Sequence, residues 1–334
     1  MAGENLPRLY NRWLQIGAYY NRELQTSAAP ELFQVEPTNY CNLKCPMCPH
    51  DLMTREVGFM DLALYRSVVQ QVRRYSASVR LHNMGESLLH RQISEFISYA
   101  KENGLTTILS SNASALTRRA SERIIDAGLD ELLISFDGVS KEIYEFCRAG
   151  ANYNNVLANI DQFLQLRERR RTSSPKVTMS LIDMPLTKGE ISEFIRRWSP
   201  KVDNVRIKPP RNWDGSSNRI NELVSIPGQH SSGYPCSRLW TSLVVLWDGR
   251  VVPCCMDFDA KVVLGNMKEK TLAEIFNDRP MQALRAVHAN AEVCKSDLCR
   301  GCSSPTRIQG HWLPLAGLSY RAITRFAQLW TAGA

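Results

Sequence analysis

The sequence predicts an α/β protein built on a parallel sheet, followed by a short cysteine-rich tail. Three observations predict it. Between about residues 30 and 210, six strand-like segments alternate with helix-like ones, the pattern of parallel strands joined by crossover helices. Beyond that region, Asp248-Gly249 stands between two apolar runs, a strong hairpin signal. Finally, the ten cysteines of this 334-residue chain fall in short groups, which argues for metal in a reducing compartment over a disulfide framework. The length suits one large domain, or a large domain and a small one.

In chain order, Leu6, Leu9, Trp13, Ile16 and Tyr20 recur at helical spacing, so a helix outside the main domain is expected over 5–27 and ends before Pro30. Leu32 to Glu36 reads as the first strand. Asp61 caps a helix running to Arg74, and Val79 to His82 is the second strand. A helix from Arg91 to Asn103 closes at Gly104, and Leu105 to Leu109 is the third strand. Thr117 to Ala127 is a helix closed by Gly128, with the fourth strand at Glu131 to Phe136. Helix Asn152 to Arg169, strand Val177 to Ile182, helix Lys188 to Trp198 and strand Val205 to Ile207 complete the alternation. Residues 209–235 hold Pro, Gly, Ser and Asn with little periodicity, as expected of a linker or a loop over the site. The hairpin Ser242 to Trp247 and Arg250 to Pro253 follows, then a helix from Leu272 to Ala286. Leu315, Leu318, Ala322, Phe326 and Leu329 at helical spacing, with Arg321 and Arg325 opposite, predict an amphipathic helix packed on the body. The expected divisions are 1–29, 30–210, 211–235, 236–305 and 306–334.

Composition narrows the function classes. Hydrophobic residues make up 44% and charged residues 22%, ordinary for a globular protein. The start, Met-Ala-Gly-Glu-Asn, lacks an early apolar run, and no stretch has the length and apolarity of a membrane span, so a cytoplasmic protein is expected. The formal net charge is +8. Part of it is the solvated run Arg167-Glu168-Arg169-Arg170-Arg171; the surplus also suits an anionic substrate. No basic motif is interleaved with aromatics, so nucleic acid is not an expected partner.

Chemistry concentrates at Cys41-Asn42-Leu43-Lys44-Cys45-Pro46-Met47-Cys48, directly after the first strand. Three soft ligands at C-x3-C-x2-C spacing can hold three corners of a metal cluster and leave the fourth open, where a closed site would be structural only. This loop resembles the signature of radical S-adenosylmethionine (SAM) enzymes. The resemblance implies a (β/α)6 partial TIM barrel over about residues 30–210, with chemistry at the C-terminal ends of its strands. It implies a [4Fe–4S] cluster on Cys41, Cys45 and Cys48 that chelates SAM at its fourth iron and cleaves it to a 5′-deoxyadenosyl radical. Met47, inside the loop, is an implied cofactor contact. Met84-Gly85-Glu86-Ser87 resembles the family's Gly-Gly-Glu segment, making Glu86 a ligand for the SAM amino group, although Met84 replaces the first glycine and Ser87 a common proline. Asn112 of Ser110-Ser111-Asn112 and Ser135 of Ser135-Phe136-Asp137-Gly138 are implied cofactor contacts, and Arg148 an implied partner of the SAM carboxylate. Ser180 and Lys208 are further candidates for the barrel mouth, while Cys147 reads as a small buried residue.

A second set follows. Cys236 and Cys254 are separated by seventeen residues, and Cys299-Arg300-Gly301-Cys302 comes later. Two thiol pairs brought together by a hairpin and a helix make a four-ligand site. The spacing resembles the SPASM/twitch extension of radical SAM enzymes and implies a small β-hairpin/helix domain holding one auxiliary [4Fe–4S] cluster on Cys236, Cys254, Cys299 and Cys302. Cys255 and Cys294 are possible replacements in another register, and Cys255 a hydrogen-atom donor if the reaction is an epimerisation. The family implies hydrogen abstraction from a substrate carbon, with dehydrogenation, decarboxylation or epimerisation of a sugar or aminocyclitol as the outcome and flavodoxin or ferredoxin as the reducing partner. The alternatives are modification of a peptide, as in ribosomal-peptide maturases, and a non-catalytic zinc module, for which His50 offers a fourth ligand near the first triplet.

Overall fold

The computed structural model describes residues 6–226, 235–303 and 306. Helix α1 (Leu6–Tyr20) precedes strand β1 (Leu32–Val35), and the chain then alternates through α2 (Leu62–Val72), β2 (Ser78–Leu81), α3 (Ile93–Glu102), β3 (Thr106–Ser111), α4 (Arg118–Asp126), β4 (Glu131–Ser135), α5 (Lys141–Cys147), α6 (Tyr153–Arg169), β5 (Lys176–Ile182), α7 (Ile191–Trp198) and β6 (Asn204–Lys208). After it come α8 (Asn218–Val224), α9 (Arg238–Thr241), β7 (Ser242–Val245), β8 (Arg250–Val252), β9 (Gly265–Asn266), α10 (Leu272–Asn277) and α11 (Arg279–Ala289). The six expected strands are present and pair in parallel, in the order of a partial barrel. Apolar residues at alternate strand positions, on the face toward the helices, explain this. Phe33, Val35, Val79, Leu81, Leu132 and Ile134 are buried against Val68, Phe96, Ile124, Ile160 and Phe163 of the helices, as a sheet covered by helices requires.

Local chemistry sets the helix ends. Asp61 accepts from the amides of Ala63 and Leu64, Thr117 from Ala120, and Asn152 from Asn155, each satisfying amides the first turn leaves unpaired. Gly104 and Gly128, at φ of 74° and 80°, close the two helices expected to end there.

The nine strands among the described residues form one sheet in the order β6-β5-β4-β3-β2-β1-β7-β8-β9. The Asp248-Gly249 hairpin therefore extends the barrel sheet. Strand β7 runs parallel to β1, with Leu32 to Val35 in register with Ser242 to Val245, and β8 pairs antiparallel to β7.

Two expectations change. The segment read as loop over 209–235 contains α8, which buries Ile220 and Val224 against Met47, Cys147 and Met184; two apolar positions four apart were too few to show a period. The helix expected over 272–286 is two helices. At Asp278 the backbone is extended (φ −76°, ψ 165°), its side chain caps Arg279, and Pro280 offers no amide to continue α10. The helix expected over 312–330 lies outside the described residues.

Candidate active site and second thiol cluster

The loop after β1 carries Cys41, Cys45 and Cys48 to the end of the sheet where β2, β3 and β4 also end. One cavity of about 280 Å³ is lined by all three thiols together with Met47, Glu86, Asn112, Ser135 and Arg148. The structure thus brings eight of the candidate residues to one place, and Lys208 lines the same cavity. Ser180 is not among its lining residues: its hydroxyl donates to the carbonyl of Ile134 at 3.2 Å, between strands.

Loop geometry follows from close backbone contacts. The amide of Lys44 donates to the Ala149 carbonyl at 2.8 Å, and Cys48 to Cys45 at 3.0 Å. Gly85 has φ of 80°, and a Cβ there would stand 2.5 Å from the Thr38 carbonyl and 2.7 Å from that of Tyr40. Only glycine lets this turn lie against the strand leading to Cys41. Glu86 then donates its amide to the Tyr40 carbonyl at 2.8 Å, while its buried carboxylate accepts from the amides of Asn112 at 2.7 Å and Leu88 at 3.1 Å. Burial raises its pKa, and the carboxylate keeps lone pairs for a further donor. Asn112 is fixed by Asn42 at 3.3 Å and by the Ser114 amide at 2.8 Å. Arg148 pairs with the buried Asp137, which also accepts from the Ile182 amide at 2.7 Å. The other arm of Arg148 lies 3.8 Å from the Cys45 sulfur.

The sequence reading missed an ion pair behind this loop. Arg55 meets Glu36 with both arms, at 2.5 and 2.7 Å, and both side chains are almost fully buried. Glu36 also accepts from Asn83 at 3.1 Å, and Arg55 donates to the Phe258 carbonyl at 2.7 Å. The pair therefore ties the ends of β1 and β2 to the cysteine loop and to the segment after β8. An acid ending an apolar strand was the available signal, but its partner lies nineteen residues on in an irregular loop. His82, Asn83, Arg211 and Trp213 line the cavity and were also not singled out. Trp213 donates to the Met47 carbonyl at 3.0 Å, closing the exit of β6 over the cysteine loop.

The donor set fits a cluster with an open corner and a ligand beside it. Burial pushes the Cys41 thiol up to about 11, with Glu86 and Cys45 adding to the rise. Burial and Cys45 push Cys48 to about 12. Both thiols hold their protons at neutral pH and would have to release them to ligate a metal. Nδ1 of His82 and Nε of Arg148 are buried with no hydrogen-bond partner among the described residues, polar atoms that a ligand in this cavity can satisfy. His50, the zinc alternative's fourth ligand, has Nε2 engaged 2.7 Å from the Asn39 carbonyl.

A second cavity is lined by Cys236, Cys254, Cys299 and Cys302 together with Leu239, Met256, Leu284, His288 and Leu298. The four thiols come from the start of α9, the end of β8 and the loop after α11. Burial and the neighbouring thiols raise Cys254 well above the usual thiol range, and burial takes Cys299 to about 12. Four thiols around an apolar hollow suit a group that meets protein at every corner. Cys255 faces elsewhere, its sulfur accepting from Arg238 at 3.0 Å, and Cys294 is exposed. Among the described residues, no three His, Cys, Asp or Glu side chains are placed to share one metal ion.

Comparison with known proteins agrees with this anatomy. The profile of the radical SAM superfamily matches residues 35–196, and that of SPASM, an iron–sulfur cluster-binding domain, matches 236–303. Together they cover more than half of the chain. A relative from Niallia circulans, the S-adenosyl-L-methionine-dependent 2-deoxy-scyllo-inosamine dehydrogenase, is 23% identical over 284 residues, spanning 82% of this chain and 92% of its own. Among solved structures, BtrN in complex with AdoMet and 2-DOIA aligns at a TM-score of 0.55 with 21% identity, over 82% of this chain and 93% of that one. SuiB of Streptococcus suis, bound to precursor peptide SuiA, aligns at 0.64 with 15% identity, over 88% and 79%. Both structural likenesses bear on the fold.

Proposed function

We propose, for a chain that belongs to the radical SAM superfamily and carries that family's iron–sulfur cluster-binding SPASM domain, that it dehydrogenates a hydroxylated small molecule of the sugar or cyclitol type. Membership brings a [4Fe–4S] cluster and SAM, and the SPASM domain brings auxiliary iron–sulfur clusters; the zinc-module alternative falls away. When bound, the first cluster and SAM supply a 5′-deoxyadenosyl radical that takes a hydrogen atom from carbon. In this reading Cys41, Cys45 and Cys48 hold that cluster, and Cys236, Cys254, Cys299 and Cys302 hold one auxiliary cluster. Glu86 accepts hydrogen bonds from the SAM ammonium, its carboxylate held in place by Asn112 and Leu88. Met47 and Trp213 wall the cavity, and Asn112 and Ser135 offer polar contacts at its floor.

The observation that carries the proposal is the division of thiols. Three open onto the cavity shared with Glu86 and Arg148, while four surround a separate hollow with no carboxylate among its described lining residues. The Niallia circulans relative, a dehydrogenase by name, supports the reaction type. A peptide substrate is the second reading, favoured by the likeness to SuiB, whose structure holds a precursor peptide. All ten cysteines are free, which supports the cytoplasm, with flavodoxin or ferredoxin as electron donor. Among the described residues no helix is long and apolar enough to cross a membrane.

The test is anaerobic reconstitution with iron, sulfide and SAM under a chemical reductant. A brown protein with about eight irons per chain that releases 5′-deoxyadenosine, and a Cys41→Ala variant that does not, support the reading. No SAM cleavage by the wild type, or unchanged cleavage by Cys41→Ala, overturns it. Deuterium passing from a labelled cyclitol into 5′-deoxyadenosine identifies the small-molecule reading; passage from a labelled peptide identifies the other.

A further inference from the structure

The wall of the first cavity that faces away from Glu86 is cationic. Lys208 ends β6, and Arg211 follows three residues later; both line the cavity. Neither forms an ion pair or a side-chain hydrogen bond among the described residues, although fifteen ion pairs occur elsewhere. The acid nearest in charge to Lys208 is Asp137, whose oxygens are engaged by Arg148 and the Ile182 amide. Glu86 is the only carboxylate among the described lining residues, and it lies at the β2 end, held by two backbone amides. His82 stays neutral, since burial, Arg80 and Lys208 push its pKa down to about 3. His82 is among the lining residues, and its Nδ1 is buried without a partner among the described residues.

We infer that Lys208 and Arg211 form a subsite for an anionic group, a phosphate or a carboxylate, on the small molecule this enzyme oxidises. The inference rests on the proposed function and adds the charge class of the substrate. Arg211 repels Lys208 and is itself opposed by Arg238 and Arg206, with only the Cys255 and Cys302 thiols pulling the other way, so a bound anion relieves repulsion at this wall while an ammonium adds to it. Burial, with Arg148, Arg206 and Arg211 nearby, lowers the Lys208 pKa to about 8 against the opposing pull of Asp137. Protonated Lys208 is thus already held at a cost that an anion offsets. An aminocyclitol carrying only ammonium groups is disfavoured here, so the substrate departs from that of the named dehydrogenase relative.

The experiment uses the reconstituted holoenzyme with SAM and three probes sharing one ring: glucose 6-phosphate, glucuronate and glucosamine. Binding is measured by anaerobic calorimetry. At least one anion is expected to bind about tenfold or more tighter than glucosamine, and comparison of the two anions shows whether phosphate or carboxylate fits. Lys208→Gln is expected to erase the preference and Lys208→Arg to keep most of it; Arg211→Gln provides an independent arm should Lys208→Gln fail to fold. Equal or tighter binding of glucosamine, or a preference that survives both neutralising variants, overturns the inference. Release of 5′-deoxyadenosine by the wild type is scored separately: its absence sinks the proposed function, while its presence without anion preference sinks only the subsite.

Discussion

At Gly85 a single hydrogen in place of a methyl group lets two strand ends meet. A Cβ would enter the carbonyls of Thr38 and Tyr40, and φ of 80° is left-handed, which alone costs an L-residue about 1–2 kcal/mol. Gly85→Ala is therefore expected to lower the melting temperature and displace Glu86, measured as weakened SAM binding; an unchanged melt would refute the argument. The Glu36–Arg55 pair has a larger effect. Removing one partner of a buried pair leaves an uncompensated charge, at about 3–5 kcal/mol. Glu36→Ala should approach global unfolding in a denaturant titration, whereas substitution in the exposed pair of Arg118 and Glu122 should change little. Lys208 makes a prediction in pH. Its pKa is depressed to about 8 by burial and by Arg148, Arg206 and Arg211, with Asp137 opposing, so the folded protein carries this charge fully only below that value. Anion affinity is expected to be highest at pH 7 and to fall as pH rises through 8, while the Lys208→Arg variant stays flat because guanidinium does not titrate there. Calorimetry at pH 7 and 9.5 decides it.

Among the elements, the segment from β6 to α8 does most to join the two thiol sites. Asn212 donates to the Gly301 carbonyl at 2.9 Å and accepts from the amide and hydroxyl of Ser303 at 2.9 and 2.6 Å. Asp214, buried beside it, pairs with Lys261 at 2.6 Å. These contacts hold the Cys299–Cys302 loop against the barrel mouth. Asn212→Ala removes them and leaves buried groups without partners, each at about 1–3 kcal/mol. The expected result is loss of iron from the second site on gel filtration, from about eight per chain toward four, with the SAM-binding cluster retained. Full iron content would show the loop to be held by other means. None of this was legible in the sequence, where 209–235 has no period and hydrogen bonds across ninety residues leave no local trace. The barrel strands were legible for the opposite reason: short segments rich in Val, Leu and Ile alternate with helices whose starts are marked by caps such as Asp61, Thr117 and Asn152, all of them local effects. The thiols were legible because their spacing within one loop is itself local. Arg148 was singled out for a carboxylate on the ligand, yet its pairing with Asp137 depends on two strand ends meeting, which spacing does not report.

For the whole molecule, the cysteine-rich tail and the barrel share one sheet. Strand β1, which launches the first cysteine loop, has β2 on one side and β7 on the other. Its Leu32 to Val35 match Ser242 to Val245 residue for residue. The Glu31 amide donates to Thr241 at 3.0 Å and that of Glu36 to Val245 at 2.9 Å. Asp259, beyond β8, accepts from the Thr54 amide at 2.6 Å and from Arg55 at 3.1 Å. A chain ending at residue 235 would thus lose the partner strand of β1, the Phe258 carbonyl that receives Arg55, and the cap on the end of the cysteine loop. An exposed edge of Leu, Phe and Val invites pairing between copies. The truncated chain is expected to elute as aggregates and to bind little iron at Cys41, Cys45 and Cys48, although it keeps all three. A monomeric fragment with four irons and intact SAM cleavage would show instead that the barrel stands alone and that the tail only adds a second cluster. The register of β1 with β7 argues for the first outcome, since the strand that launches the first cysteine loop is itself completed by the domain that carries the second set of thiols.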